Sequence, residues 1–424
     1  MSKTVAIISC IDTKFAEIAY LRQQLSLHGL SSYIIDASLR PHAVDEPIAD
    51  MPREALLTWG KIPLEEYEAR SKSEKISIVT KLLEGVALDL YKRGVIQGCI
   101  AAGGLQNSVM GSAALRRLPF GVPKILISAM ANSNMPLQMF TGRTDVVIVP
   151  SVADVAGLNQ ITRTVFDNAC AMMAGMLRLK QLPSQGALTE KMVGVTCVGV
   201  TNEGVLHLAE RLRAAGYTPV MFHATTGGAR AMEDLALDGT FAGLLDLDIH
   251  DVLVEALGYY VVNESREPRL VRLADKGIPM IVSFSGMDVI DMPRSFFESA
   301  AMPEREGRKV SVHNPELYHV KVTKAEARKC AEVMAERLNR FTGPLAVVAP
   351  LRGFRDCTQP GESLYDPEVD SILLDVVKAS LKPEIRWVEV DCNANDPLFG
   401  DTVLKTWLDL QHKAAPDADS QRRI

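Results

Sequence analysis

The chain has 424 residues, 47% hydrophobic and 23% charged, with a formal net charge of −6 at pH 7. That length exceeds one ordinary core and predicts two domains, while the acidic balance and the lack of a basic stripe exclude a nucleic-acid groove. No apolar run approaches the ~20 residues of a membrane helix, and the scattered cysteines, with no C-x-x-C pair, read as reduced thiols of a cytoplasmic protein.

The first apolar run, "TVAIIS", is too short for a signal peptide and predicts a strand. The helix after it carries Ile18, Leu21 and Leu25 on one face, ends at Gly29, and leads into a second strand, "SSYIID". Further strands are expected at "VIQGCIAA", "PKILIS" and "DVVIVP", with helices around 73–93 and 153–178. The pattern then restarts: "MVGVTCVGVT" reads as a strand, Val205, Leu208, Ala209 and Leu212 as a helix face, Gly216 as its end, and "TPVMFH" as the next strand. Leu21, Leu25 and Gly29 map onto Leu208, Leu212 and Gly216 at one constant offset. Strands alternating with helices predict an α/β fold of two tandem Rossmann-like domains with parallel sheets and a cleft between them. The boundaries are 1–183 and 184–424, because Pro183, Ser184 and Gly186 interrupt the pattern, and the polar tail from about 413 is expected to fray.

In open α/β sheets ligands gather at the carboxyl ends of strands, so the candidates follow strands. Asp12, Thr13 and Lys14 stand at a helix start, which suits a phosphate or carboxylate, or else only caps the helix. Gly103, Gly104, Asn107 and Ser108 follow the third strand in a loop that is neither Walker A nor G-x-G-x-x-G, and a plain turn fits equally well. The segment FHATTGGARAME is richer. His223 is a candidate acid/base and falls where Asp36 falls in the first half; Thr225, Thr226, Gly227 and Gly228 offer hydroxyls and backbone, and Arg230 a fork for an anion. The alternative is a strand-end histidine and an arginine paired with Glu233 or Asp234. Asp246, Asp248 and His250 alternate like metal ligands or cap a helix. Ser283, Ser285, Gly286 and Asp288 follow another strand, with Ser285 and Gly286 expected to contact a cofactor, and a long polar loop follows "LAVVAP".

Together these stretches carry a resemblance. "DTK", "PKILIS", "SVADVAGLNQI", "FHATTGGARAME", "VHNPELYHVKVTKAE" and "YDPEVDSIL" occur in the order of the Tm-1-like ATP-binding family, UPF0261. The resemblance implies two Rossmann-like subdomains, ATP with magnesium as ligand, self-association as a homo-oligomer, and a stand-alone member without the C-terminal barrel of the plant proteins. Ser9, Cys10 and Phe15 replace the family's glycine-threonine and glycine around Asp-Thr-Lys, so its first phosphate loop is the most altered part. Three functions follow. The first is a protein of small-molecule metabolism that binds a nucleotide or other anionic ligand. The second is a nucleotide-independent hydrolase or lyase acting on a small carboxylate or oxo-acid, with His223 as acid/base and Arg230 as anchor. The third is a non-catalytic binding or inhibitor module.

Overall fold

The computed structural model describes residues 2–41, 48–178, 191–199, 202–225, 227–259 and 268–414. The stretch around Pro183, the tail from 415 and Thr226 therefore lie outside the described residues. The chain divides into two compact units, Met1–Ser184 and Gln185–Ile424.

In the first unit, β1 (Thr4–Ser9), β2 (Ser31–Asp36), β3 (Gly98–Gly103), β4 (Lys124–Ser128) and β5 (Val147–Pro150) form one sheet in the order β2-β1-β3-β4-β5. Every pairing in it is parallel. Helices cover both faces, so the central strands are buried throughout and read as continuous apolar runs. Ile18, Leu21 and Leu25 enter the core on one side, and Leu83, Val86 and Leu90 of helix Lys72–Lys92 on the other. That second helix opens on a reciprocal capping box between Ser71 and Glu74. The helix expected from 153 begins only at Gln160. The Asn159 side chain stops it there, its Oδ1 accepting from the Ile161 and Thr162 amides at 2.9 and 3.0 Å.

The second unit holds β6 (Lys191–Cys197), β7 (Tyr217–His223), β8 (Gly243–Asp248), β9 (Met280–Ser285), β10 (Val289–Pro293), β11 (Val310–Asn314), β12 (Leu317–Lys321), β13 (Leu345–Pro350) and β14 (Arg386–Val390). Six of them make a parallel sheet in the order β14-β13-β9-β8-β6-β7. The remaining three form an antiparallel sheet, β10-β12-β11, which no sequence pattern announced. The matched positions of the two halves do the same work: Leu21, Leu25, Leu208 and Leu212 are buried. Gly29 and Gly216 end their helices at φ of +75° and +83°, a left-handed conformation that favours glycine. Each unit is thus a Rossmann-like α/β domain. No described helix is long and apolar enough to cross a membrane.

Candidate functional site

The first sheet reverses its strand order between β1 and β3, and loops leaving such a switch point diverge to leave a crevice. A cavity of about 480 Å³ lies there. It is lined by Cys10, Asp12, Thr13 and Lys14 from the helix start after β1, by Gly104 and Asn107 from the helix start after β3, and by Arg40, Arg70, Lys72, Lys75 and Asp154. Two loops far apart in sequence therefore share one cavity. The flanking cations were not among the sequence candidates, because nothing local ties a charge at 70–75 to a strand end.

The two helix starts at this cavity differ. In helix Ile11–Leu27 the first amides are already taken: Ile11 N donates to Asp36 Oδ1 at 3.2 Å and Asp12 N to Ser38 Oγ at 3.1 Å. Asp36 is buried and also accepts from the Ser38 amide at 2.9 Å. Its carboxylate thus braces the β1 loop rather than facing the cavity. Lys14, at φ −131° and ψ 23°, breaks the helix after its first turn. Helix Leu105–Arg117, by contrast, follows Gly104 with no side-chain cap, so its leading N–H groups and partial positive charge face the cavity.

Arg70 is paired with Glu66 and Glu74, and Lys75 with Glu68. Among the described residues Lys14, Arg40 and Lys72 form no ion pair, and they are the cations available to a ligand. Asn107 turns inward, its Nδ2 donating to Ser9 Oγ at 3.1 Å and its Oδ1 accepting from the Cys10 thiol at 2.6 Å. Ser108 is fully buried against the Ser128 hydroxyl, 2.6 Å away, and does not line the cavity. Burial, with Asp12 and Asp36 nearby, pushes the Cys10 thiol up to about 12, so it is no nucleophile at neutral pH. Gly103 sits at φ +149°, and a Cβ there would stand 2.5 Å from Asn107 Nδ2. Gly103→Ala is expected to cost roughly 1–3 kcal/mol, read as a lowered midpoint in urea melts.

In the second unit His223 ends β7, exposed, with Nδ1 2.8 Å from Thr225 Oγ1. The Thr225 amide and the Thr225 carbonyl oxygen each lie 3.3 Å from the same nitrogen. Gly228 is a packing requirement, since a Cβ would lie 2.3 Å from the His223 carbonyl oxygen. Gly227 precedes helix Gly228–Leu237 without a side-chain cap. Arg230 is buried and hydrogen-bonded to Glu255. Its neighbour in the motif, Glu233, binds buried Arg269 rather than Arg230.

The loops after β8, β9 and β13 converge. Asp291 accepts from Arg355 Nη1 at 2.7 Å and lies 3.8 Å from His250 Nε2 and 3.5 Å from His319 Nε2. Burial alone would raise the Asp291 carboxyl, but the Arg355 guanidinium beside it holds it well below the usual range. Burial drops His250 to about 4, so the ring is neutral. It accepts the Asp291 amide on Nε2 at 3.0 Å. Gly286, at φ +82°, packs its backbone on Asp248, where a Cβ would come within 2.5 Å of Oδ1. Ser285 is buried at the end of β9, and its carbonyl accepts from the Ile249 amide at 2.8 Å. Asp246 is drawn off by Arg269 and Thr196, so the alternating Asp246, Asp248 and His250 do not converge on one point.

Burial raises the Asp248 carboxyl to about 7, with Arg355 opposing the shift. The unfolded chain sheds this proton near the ordinary carboxyl value of 3.8 while the folded chain keeps it to about 7. Stability should therefore fall as pH rises through that window and level off above it. Asp248→Asn is expected to flatten this slope, by an amount on the order of a few kcal/mol at pH 8, in melting temperature measured against pH.

Fold and cavity together define a two-unit α/β protein of Rossmann-like domains with a polar crevice at a strand switch point. Family models place it further: residues 3–182 match the N-terminal and residues 190–411 the C-terminal domain of the uncharacterised protein family UPF0261. The chain belongs to that family. It is 28% identical to a UPF0261 protein of Clostridium tetani, with 97% of this chain and 100% of that one covered. It is 30% identical to the ToMV resistance protein Tm-1(GCR237) of Solanum lycopersicum, covering 97% of this chain but only 56% of the tomato protein. Among solved structures, the S. aureus MnaA–UDP co-structure aligns with 66% of this chain and 79% of its own, at 12% identity and a TM-score of 0.26. A score that low carries no functional argument.

Proposed function

We propose that the first unit binds a phosphate-bearing small molecule, with a nucleotide and magnesium as the ligand that the family resemblance suggests. The observation that carries this reading is the meeting of Lys14, Arg40 and Lys72 with the uncapped start of helix Leu105–Arg117 in one cavity. Backbone N–H groups at a helix start and unpaired cations are the groups that hold phosphate. Asp12 and Asp154 supply the oxygen donors that a partly hydrated Mg²⁺ uses. Bound there, the metal would neutralise phosphate charge; the chain's own part is to orient the phosphates. The altered loop after β1 fits this division of labour, because its first amides serve Asp36 and Ser38, and the backbone contacts fall to the loop after β3.

Isothermal titration of the full chain with MgATP, ATP alone and inorganic phosphate tests the reading. Micromolar to millimolar binding that weakens with added salt is expected. No heat and no thermal shift with any of the three at millimolar concentration would overturn it.

A further inference from the structure

The loop after β5 brings a carboxylate to the uncapped helix start of the first unit. Asp154 lines the cavity, and its Oδ1 stands 3.9 Å from where a Cβ on Gly104 would lie. The loop is pinned on both sides of it: Ser151 and Val155 are fully buried, and the Gly157 amide donates to buried Glu17 at 2.6 Å. Between Ser151 and Ala153 the chain makes a γ-turn, the Ala153 amide donating to the Ser151 carbonyl at 2.7 Å, with Val152 at its centre at φ +64°. That conformation is strained for a β-branched residue, so packing and not local preference holds Asp154 in place. Among the described residues neither carboxylate of the cavity, Asp154 or Asp12, forms an ion pair or accepts a hydrogen bond. Together they offset two of the three unpaired cations, Lys14, Arg40 and Lys72.

We propose that Asp154 is the specificity-determining residue of the phosphate cavity: it repels a bare phosphate and admits one that carries a divalent cation. This rests on the phosphate reading above. A phosphate on the leading amides of helix Leu105–Arg117 meets the Asp154 carboxylate at the same helix start, and the one cationic charge in surplus does not neutralise a phosphate dianion. Like charges a few ångströms apart at a protein surface cost about tenfold in affinity or more. A divalent cation reverses the sign, since the carboxylate then serves it as an oxygen donor. No group of three or more acidic, histidine or cysteine side chains that could hold a metal gathers among the described residues. The cation therefore comes with the phosphate, as Mg²⁺ does when one or two carboxylates, water and substrate oxygens are its ligands. Lys14, Arg40 and Lys72 supply affinity for any phosphate, and Asp154 supplies the choice among them.

Calorimetric titration of the full chain with inorganic pyrophosphate in EDTA, and with the preformed magnesium–pyrophosphate complex, reads this choice directly. Magnesium alone should give no heat. Wild type should bind the magnesium complex about tenfold or more tightly than pyrophosphate in EDTA. Asp154→Asn should gain about tenfold in EDTA and keep little of the magnesium effect. The position is exposed, so the urea midpoint should stay unchanged. Asp12→Asn removes the same charge from the other helix start and should gain less in EDTA. Heat from magnesium alone, equal gains in the two variants, or an affinity in EDTA that Asp154→Asn leaves unaltered would overturn the inference while phosphate binding stands. Pyrophosphate bound by neither wild type nor Asp154→Asn in either form would instead overturn the phosphate reading, and this one with it.

Discussion

Arg269→Met should destabilise the second unit by about 3–5 kcal/mol, the largest stability effect expected of a single substitution in this chain. The guanidinium is fully buried, 2.7 Å from Asp246 and hydrogen-bonded to Glu233, with Asp251 at 3.7 Å from Nε. Its own carbonyl accepts from Arg337 at 3.4 Å, and the next amide, Leu270 N, donates to Glu233 at 2.8 Å. Removing the guanidinium takes from buried Glu233 and Asp246 the cation they share and leaves them only the Leu270 amide and the Thr196 hydroxyl. The cost comes from that residue of charge, because forming such a network already requires desolvating every member. Adding Glu233→Gln and Asp246→Asn to Arg269→Met should therefore restore much of the loss. Urea melts followed by tryptophan fluorescence report it, since Trp387 and Trp407 both lie in this unit. A triple variant no more stable than Arg269→Met would refute the electrostatic account.

Lys14→Ala combined with Lys72→Ala should weaken phosphate binding to the first unit about 10²- to 10⁴-fold, and should leave its stability within about 0.5 kcal/mol. Both side chains line the cavity, and neither forms an ion pair among the described residues. Each would give one charge-assisted hydrogen bond to a phosphate, at about 1.5–3 kcal/mol. The same titration on Lys75→Ala is the control, because Lys75 is held by Glu68 at 2.6 Å. It should change affinity less than either single variant. Equal losses in all three would mean a diffuse field rather than a defined phosphate position, and would count against the cavity as described. Raising the salt should shrink the difference between wild type and double variant, since exposed charges are screened.

The alternation of apolar runs and helix faces was enough to read two parallel α/β halves, because a strand buried on both faces must be apolar along its length. Strand ends were legible for the same reason, and with them the placement of Asp12 to Lys14, Gly103 and His223 at carboxyl ends. The register of Leu21 and Gly29 with Leu208 and Gly216 was legible too, since periodicity and a left-handed helix end are local properties. Partners were not. Nothing within ten residues of Arg230 shows that it turns to Glu255, or that Glu233 serves Arg269 instead. Asn107 and Ser108 read as ligand donors by residue type, yet the fold uses them inside, against Ser9, Cys10 and Ser128.

What the sequence by itself determined is therefore the architecture and the set of strand-end loops, since burial pattern, helix period and turn chemistry act over a few residues. What only the tertiary structure decided is which loops meet: Lys72 with Lys14 and Gly104, and Asp248 with Asp291 and Arg355. Charge pairing depends on distance in space, and strand order, set by how whole sheets pack, fixes that distance.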